Sequence, residues 1–204
     1  MKRSLYILPS LVIYLMMMSA CENKSENEAT DDHEHETEMD DHEHSQASSA
    51  EISKPASPRK AAMEIVYGNH VHIDYSSPSV RSRVIFGGLV AFDQVWVTGA
   101  HKATSIDFQH AVKIAGQEIE AGKYAFFTIP GREKWTVIIN KNYDQHLADE
   151  YDPELDVVRF DIKAETLDDV QESLEYSVES LGDMRGRISI AWEKTKVSFE
   201  FENI

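Results

Sequence analysis

Lys123-Tyr124-Ala125-Phe126-Phe127-Thr128-Ile129-Pro130-Gly131, followed by Trp135-Thr136-Val137-Ile138-Ile139-Asn140, decides the fold class. Aromatic and β-branched residues dominate both runs, and each has the length of a strand. Pro130 lacks the N–H that a strand ladder needs, so the first run ends there and the second reads as its antiparallel partner. The same character recurs on either side. His70-Val71-His72-Ile73-Asp74-Tyr75 alternates with a period of two, placing Val71, Ile73 and Tyr75 on one face and His70, His72 and Asp74 on the other. Thr104–Phe108 alternates likewise, and Val112–Ile114 and Gln117–Ile119 flank Ala115-Gly116, a hairpin signature. Residues 157–163 and 174–178 read as strands, and 187–192 with 196–201 as a closing hairpin through Glu193-Lys194-Thr195. One stretch reads as helical. Thr166-Leu167-Asp168-Asp169 resembles a capping sequence, with Leu167, Val170 and Leu174 at helical spacing. Many short strands divided by Gly and Pro turns predict an all-β fold, a single jelly-roll-like β-sandwich with at most one short helix.

The amino-terminal part has a different composition. Lys2 and Arg3 precede an apolar run over residues 5–18 that ends in Ser19-Ala20. That is the pattern of an export signal, too short and wrongly flanked for a membrane span. Met18-Ser19-Ala20-Cys21 resembles the lipobox of bacterial lipoproteins, which implies acylation of Cys21 and a lipid-anchored place in the bacterial cell envelope. Cys21 is the single cysteine, so its acylation leaves the folded part without thiolate ligands or nucleophiles. Residues 22–50 carry eleven acidic residues against one lysine and no aromatic residue. Such a segment buries too little apolar surface to offset its ordering entropy and is expected to be a disordered tether. The leader contributes +2 and the tether −10 to the net charge of −16, which leaves −8 for residues 51–204. That balance argues against a nucleic-acid partner. The expected organisation is a lipoprotein signal over 1–20, an acidic tether over 21–62 and the β domain over 63–204.

Several segments together resemble one family. They are Tyr75-Ser76-Ser77-Pro78, Ile85-Phe86-Gly87-Gly88-Leu89-Val90, the stretch from Val95-Trp96-Val97 to Ala103-Thr104, the run from Ala121 to Gly131, Trp135 to Asn140, and Ala191-Trp192-Glu193-Lys194. Their order and spacing resemble bacterial secreted proteins and lipoproteins of the domain of unknown function 2911 family. The resemblance implies an exported β domain and supplies no activity. It also marks departures. Val97 stands where the family pattern has Arg, His101 where it has Asn, and Asp144-Gln145-His146-Leu147 where an aromatic residue is commoner. His70 and His72 likewise replace less chemically committed residues.

Nine histidines are the chemically richest feature. Imidazole is the commonest metal ligand among side chains. His70 and His72, two apart on one strand face, can converge on one ion. A loop bringing His101 beside them would complete a three-histidine set suited to zinc or copper, with His146 as a fourth ligand and Asp74 as an orienting acceptor. His110 reads as a turn residue. In the tether, Asp31-Asp32-His33-Glu34-His35 is repeated as Asp40-Asp41-His42-Glu43-His44. Those four histidines among carboxylates form a weak metal-scavenging tract. Trp96, Trp135 and Trp192 read as core residues, and Arg81, Arg83 and Arg159 as surface residues or an anion pocket. No Gly-x-Ser-x-Gly elbow, His-Glu-x-x-His helix or phosphate loop occurs. The expectation leans to a binding protein: a membrane-anchored lipoprotein that takes copper or zinc, or alternatively a module that takes a glycan, peptide or protein partner without metal, with an uncharacterised hydrolase as a third possibility.

Overall fold

The computed structural model describes residues 56–204. The export signal, Cys21 and His33, His35, His42 and His44 lie outside the described residues. Strands β1 (Arg59–Val66), β2 (Asn69–Ser76), β3 (Thr104–Phe108), β6 (Gly122–Ile129), β7 (Lys134–Asn140) and β8 (Asp156–Lys163) form a six-stranded sheet in the order β1-β2-β3-β6-β7-β8. Strands β4 (Val112–Ile114), β5 (Gln117–Ile119), β9 (Glu165–Gly182) and β10 (Arg185–Asn203) form a second sheet in the order β5-β4-β10-β9. All named strand pairs are antiparallel. The two sheets face each other as a β-sandwich around one core.

Alternation builds that core. Val71, Ile73 and Tyr75 of β2, Ile106 and Phe108 of β3, and Val137 and Ile139 of β7 point inward from the first sheet. Leu174 and Tyr176 of β9 and Ile188, Ile190, Phe199 and Phe201 of β10 meet them from the second. Aromatic pairs lock the layers. Phe126 stacks on Phe199 with ring centres 5.9 Å apart, and Tyr75 meets Tyr176 at 4.6 Å. Gly186 is required here, because a Cβ at that position would overlap the Phe201 ring.

Three tight turns set the registers. Tyr67-Gly68 and Ala115-Gly116 each place two consecutive residues at positive φ, as in the type I′ turns that match strand twist, and Gly182-Asp183-Met184 places three. The third corrects the sequence reading. The hairpin turn lies at Asp183-Met184, and Glu193-Lys194-Thr195 runs on inside the continuous strand β10, opposite extra, bulged residues of β9, with Glu193 at φ 55°. The capping sequence at Thr166 is likewise no helix. Thr166 pairs with Thr195 in the β9–β10 ladder, and Val170 is 51% exposed while Leu174 is fully buried, so the three apolar residues share no face. Pairing with a long partner strand overrides the local signal. The one helical element among the described residues is a 3-10 turn at Pro153–Leu155, capped by Asp152. The first strand begins at Arg59, ahead of the expected domain start at Met63, because edge strand β1 runs alongside the whole of β2.

Between β2 and β3, residues 77–103 form a long loop that closes one end of the sandwich. Trp96 exchanges both backbone hydrogen bonds with Thr128, taking the place beside β6 that β3 vacates beyond Thr104. Val97 packs with Ala103, Ala125, Phe127 and Ile138 in a small second cluster on the outer side of β6 and β7. The outer side of β1, β2 and β3 stays open.

Candidate functional site

A cavity of about 380 Å³ lies under the 77–103 loop. Trp96, Trp192, Leu89 and Val90 supply apolar walls, Arg81 and Arg83 stand at one side, and His101 and Leu147 at another. Trp96 and Trp192 stack with ring centres 5.8 Å apart, and Phe86 meets each edge-on at 6.1 Å. The Trp96 indole N–H donates to the Gly99 carbonyl at 3.1 Å. The Trp192 indole N–H has no acceptor, although the residue is only 1% exposed. An unpaired buried donor costs about 1–3 kcal/mol, so its presence beside a cavity has to be explained.

The arginines are fixed by backbone rather than by carboxylates. Arg83 donates through Nε to the Val80 carbonyl at 3.1 Å and through Nη2 to the Ser79 carbonyl at 2.6 Å. Arg81 donates to the Ala56 carbonyl at 3.3 Å. Among the described residues neither guanidinium forms an ion pair with a carboxylate. Arg159 lies elsewhere, on β8, beside Asp156 and the Tyr151 hydroxyl. Burial, and then the hydrogen bond to Asp156, push that hydroxyl up to about 12.

Irregular backbone shapes the cavity wall. Arg81, Ser82, Asp93, Thr98 and His101 all have positive φ, which is costly for residues with side chains and concentrates at functional loops. The Thr98 bend is held from below. Its carbonyl accepts from the Tyr176 hydroxyl at 2.7 Å and from Thr104 at 3.1 Å. Complete burial raises the Tyr176 hydroxyl well above its ordinary value, so it remains a donor. His101 sits at φ 65°. His is among the residues enriched in that left-handed region.

The four histidines proposed as ligands separate into two pairs. His70 and His72 project from the outer face of β2, with ring centres 5.8 Å apart and planes inclined by 47°. His72 Nε2 lies 3.1 Å from Asp74 Oδ1, and Lys123 Nζ lies 3.4 Å from Asp74 Oδ2. Partial burial pushes the Asp74 carboxyl up. His72, with Lys123 behind it, outweighs that and holds it below the usual carboxylate value. His101 and His146 belong to the loop end, where the Leu147 N–H donates to the His101 carbonyl at 2.7 Å and His146 bridges to Lys102. His146 Nδ1 is 3.5 Å from Asp149, and its side chain is well exposed. The bend carrying His101 leaves the sheet beyond Ser76, about 13 Å of strand from His72. Among the described residues no three His, Cys, Asp or Glu side chains stand close enough together to hold a metal ion.

Sequence reasoning found the β2 histidines and missed the cavity. Arg81, Arg83 and Arg159 read from the sequence as surface residues or an anion pocket, and the company of the first two with Trp96 and Trp192 is not legible there, because those tryptophans read as core.

No curated protein and no solved structure matches this chain. A family model does match, over residues 57–201, which take in every strand except the carboxy-terminal end of β10. The chain therefore belongs to the family described as protein of unknown function DUF2911.

Proposed function

We propose that this protein is an exported, lipid-anchored binding module whose ligand enters the cavity between Trp96, Trp192 and the two arginines. The observation that carries the reading is the cavity itself, in which Arg81 and Arg83, their guanidinium groups held by backbone carbonyls, stand beside the faces of Trp96 and Trp192. Arg81 and Arg83 favour a carboxylate. Leu89, Val90 and the tryptophan faces favour an apolar side chain. A peptide carboxyl terminus with an apolar last residue carries both features. Cys21 supplies the anchor, and the acidic tether sets the domain off from the lipid surface. Intact-mass analysis of the membrane fraction should find acyl chains on Cys21, and an unacylated, fully soluble protein would remove the anchor from the reading.

The cavity is tested with short peptides ending in Leu or Phe, read by quenching of tryptophan emission and by calorimetry. Binding should fall at least about tenfold when the terminal carboxylate is amidated, since a lost charge-assisted hydrogen bond removes about 1.5–3 kcal/mol. Trp192→Phe should weaken binding by removing part of the apolar wall, at some cost in stability for the buried volume lost. Equal affinity for acid and amide would discard the carboxylate assignment.

A second reading rests on a separate observation, the 5.8 Å separation of the His70 and His72 rings. Two imidazoles that each place a nitrogen about 2 Å from one ion need ring centres about 5–6 Å apart. This supports a copper or zinc chelate on the outer sheet face, with Asp74 orienting His72 and the tether histidines raising the local metal concentration. Metal uptake that survives His70→Asn together with His72→Asn, in a chain without the tether histidines, would remove it.

A further inference from the structure

We propose that the outer face of β1 and β2 is a cuprous-ion site in which Met63 joins His70 and His72 as a third ligand. The inference rests on the His70–His72 chelate and names its metal. In the β1–β2 ladder Met63 is the partner of His72, and Ile65 is the partner of His70. Directly opposite residues of an antiparallel pair share a face, with Cβ atoms about 4.5–5.5 Å apart. Val71 and Ile73 turn to the core, so both histidines and Met63 turn outward. Met63 is 54% exposed and Ile65 62%, large apolar side chains left on the surface of an edge strand. Met has three rotatable bonds, enough to swing its sulfur across to the imidazoles.

The donor chemistry selects the ion. Zinc takes thiolate, imidazole and carboxylate ligands, whereas thioether sulfur selects the soft monovalent copper ion. Two carboxylates flank the histidines: Asp74 is engaged by His72 Nε2 and by Lys123, and Asp107 is the partner of His72 in the β2–β3 ladder, yet among the described residues neither completes a three-ligand group with the two imidazoles. The Asp74 contact leaves Nδ1 of His72 as the nitrogen free to face a metal. Two imidazoles and one thioether give a neutral, three-coordinate donor set. Ile65 beside His70 shields one side of it from water.

The test uses the full chain carrying His33→Gln, His35→Gln, His42→Gln and His44→Gln, so that the tether contributes no imidazole. Cuprous ion is titrated anaerobically, with ascorbate present, against a colorimetric cuprous chelator, and zinc and cupric ions are titrated separately. One cuprous ion should bind per chain, with copper–sulfur scattering in its X-ray absorption spectrum. Met63→Leu should lower cuprous affinity at least about tenfold, since even a lost outer partner of a ligand costs that much. It should leave zinc and cupric binding unchanged. His70→Asn with His72→Asn should abolish all three. Unchanged cuprous affinity in Met63→Leu, or no copper–sulfur scattering, would overturn the cuprous assignment and leave the two-histidine chelate standing. Binding that ignores the double histidine change, or no binding at all, would overturn both. Circular dichroism checks that each variant is folded.

Discussion

The outer face of β2 and the wall of the loop-end cavity both present histidine, and they are built by different rules. On β2 the backbone is regular. His70, His72 and Asp74 take their positions from the two-residue period of a strand whose other face is buried in the core. At the cavity the backbone is irregular. Arg81, Ser82, Thr98 and His101 take theirs from left-handed residues in a loop pinned by isolated bridges to β6 and β9. The first region is as stable as the sheet it lies on. The second depends on a few buried hydrogen bonds, above all that of the Tyr176 hydroxyl to the Thr98 carbonyl. The difference teaches where each kind of chemistry belongs. A flat, regular face can display ligands to an ion from solution, whereas a cavity needs a loop to wall it.

The largest test of that contrast attacks the core beneath both regions. Phe126 is fully buried and packs between Phe199 and Tyr176, with ring centres 5.9 Å from each. Phe126→Ala should cost about 3–5 kcal/mol in urea unfolding. Its effect should be uneven, because Tyr176 holds the cavity bend. Hydrogen exchange at Trp96 and His101 amides should accelerate more than at His72 and Ile73. Equal acceleration would mean that the two regions are held alike.

The same contrast decides what was legible in the sequence. The alternation of residues 70–75 gave strand, core face and outward histidines at once, because one period fixes all three. The β6–β7 pair and the Ala115-Gly116 turn were legible for the same reason: local chemistry and final structure agree. The helix expected at Thr166 failed because bulges opposite Glu193 shift the phase of β9, and its apolar residues follow the partner strand rather than a helical stripe. The supposed hairpin at Glu193-Lys194-Thr195 failed with it. Polar turn-forming residues also suit a strand that runs opposite a bulge, and only the length of β9 opposite shows which was built. The convergence of His101 with His70 and His72 could not be judged at all from sequence. It depends on the path of residues 77–103, where positive φ values send the chain away from the β2 face.

A middle-sized effect compares one substitution in two places. His101 lies at φ 65°, while His72 lies in a regular ladder. His101→Val should destabilise the protein by about 1–2 kcal/mol, since a β-branched residue is strained in the left-handed region. His101→Asn should be close to neutral. His72→Val should also be close to neutral or slightly stabilising, because valine suits an extended position. Thermal melts of the three variants check this. A His72→Val loss as large as that of His101→Val would show that side-chain contacts, and not backbone conformation, separate the two sites.

The smallest effect is electrostatic and belongs to the sheet face alone. Asp74 is held below its ordinary carboxylate value in the folded protein, with burial opposing and His72 and Lys123 prevailing. A depressed folded value means that the contact contributes stability above the ordinary carboxylate range, and that the contribution is lost as pH falls through the depressed value. Its size stays below about 1 kcal/mol, because the side chains are partly exposed and solvent screens the pair. Urea midpoints measured from pH 6 down to pH 3 should therefore fall slightly less steeply in Asp74→Asn than in the parent chain. The change should also reach the metal. Without the Asp74 carboxylate, His72 loses the acceptor that fixes its ring, so metal affinity at neutral pH should drop while peptide binding in the cavity stays as it was. A drop in both would mean that the two regions are coupled through the sandwich, and that the sheet face and the loop-end cavity work as one site.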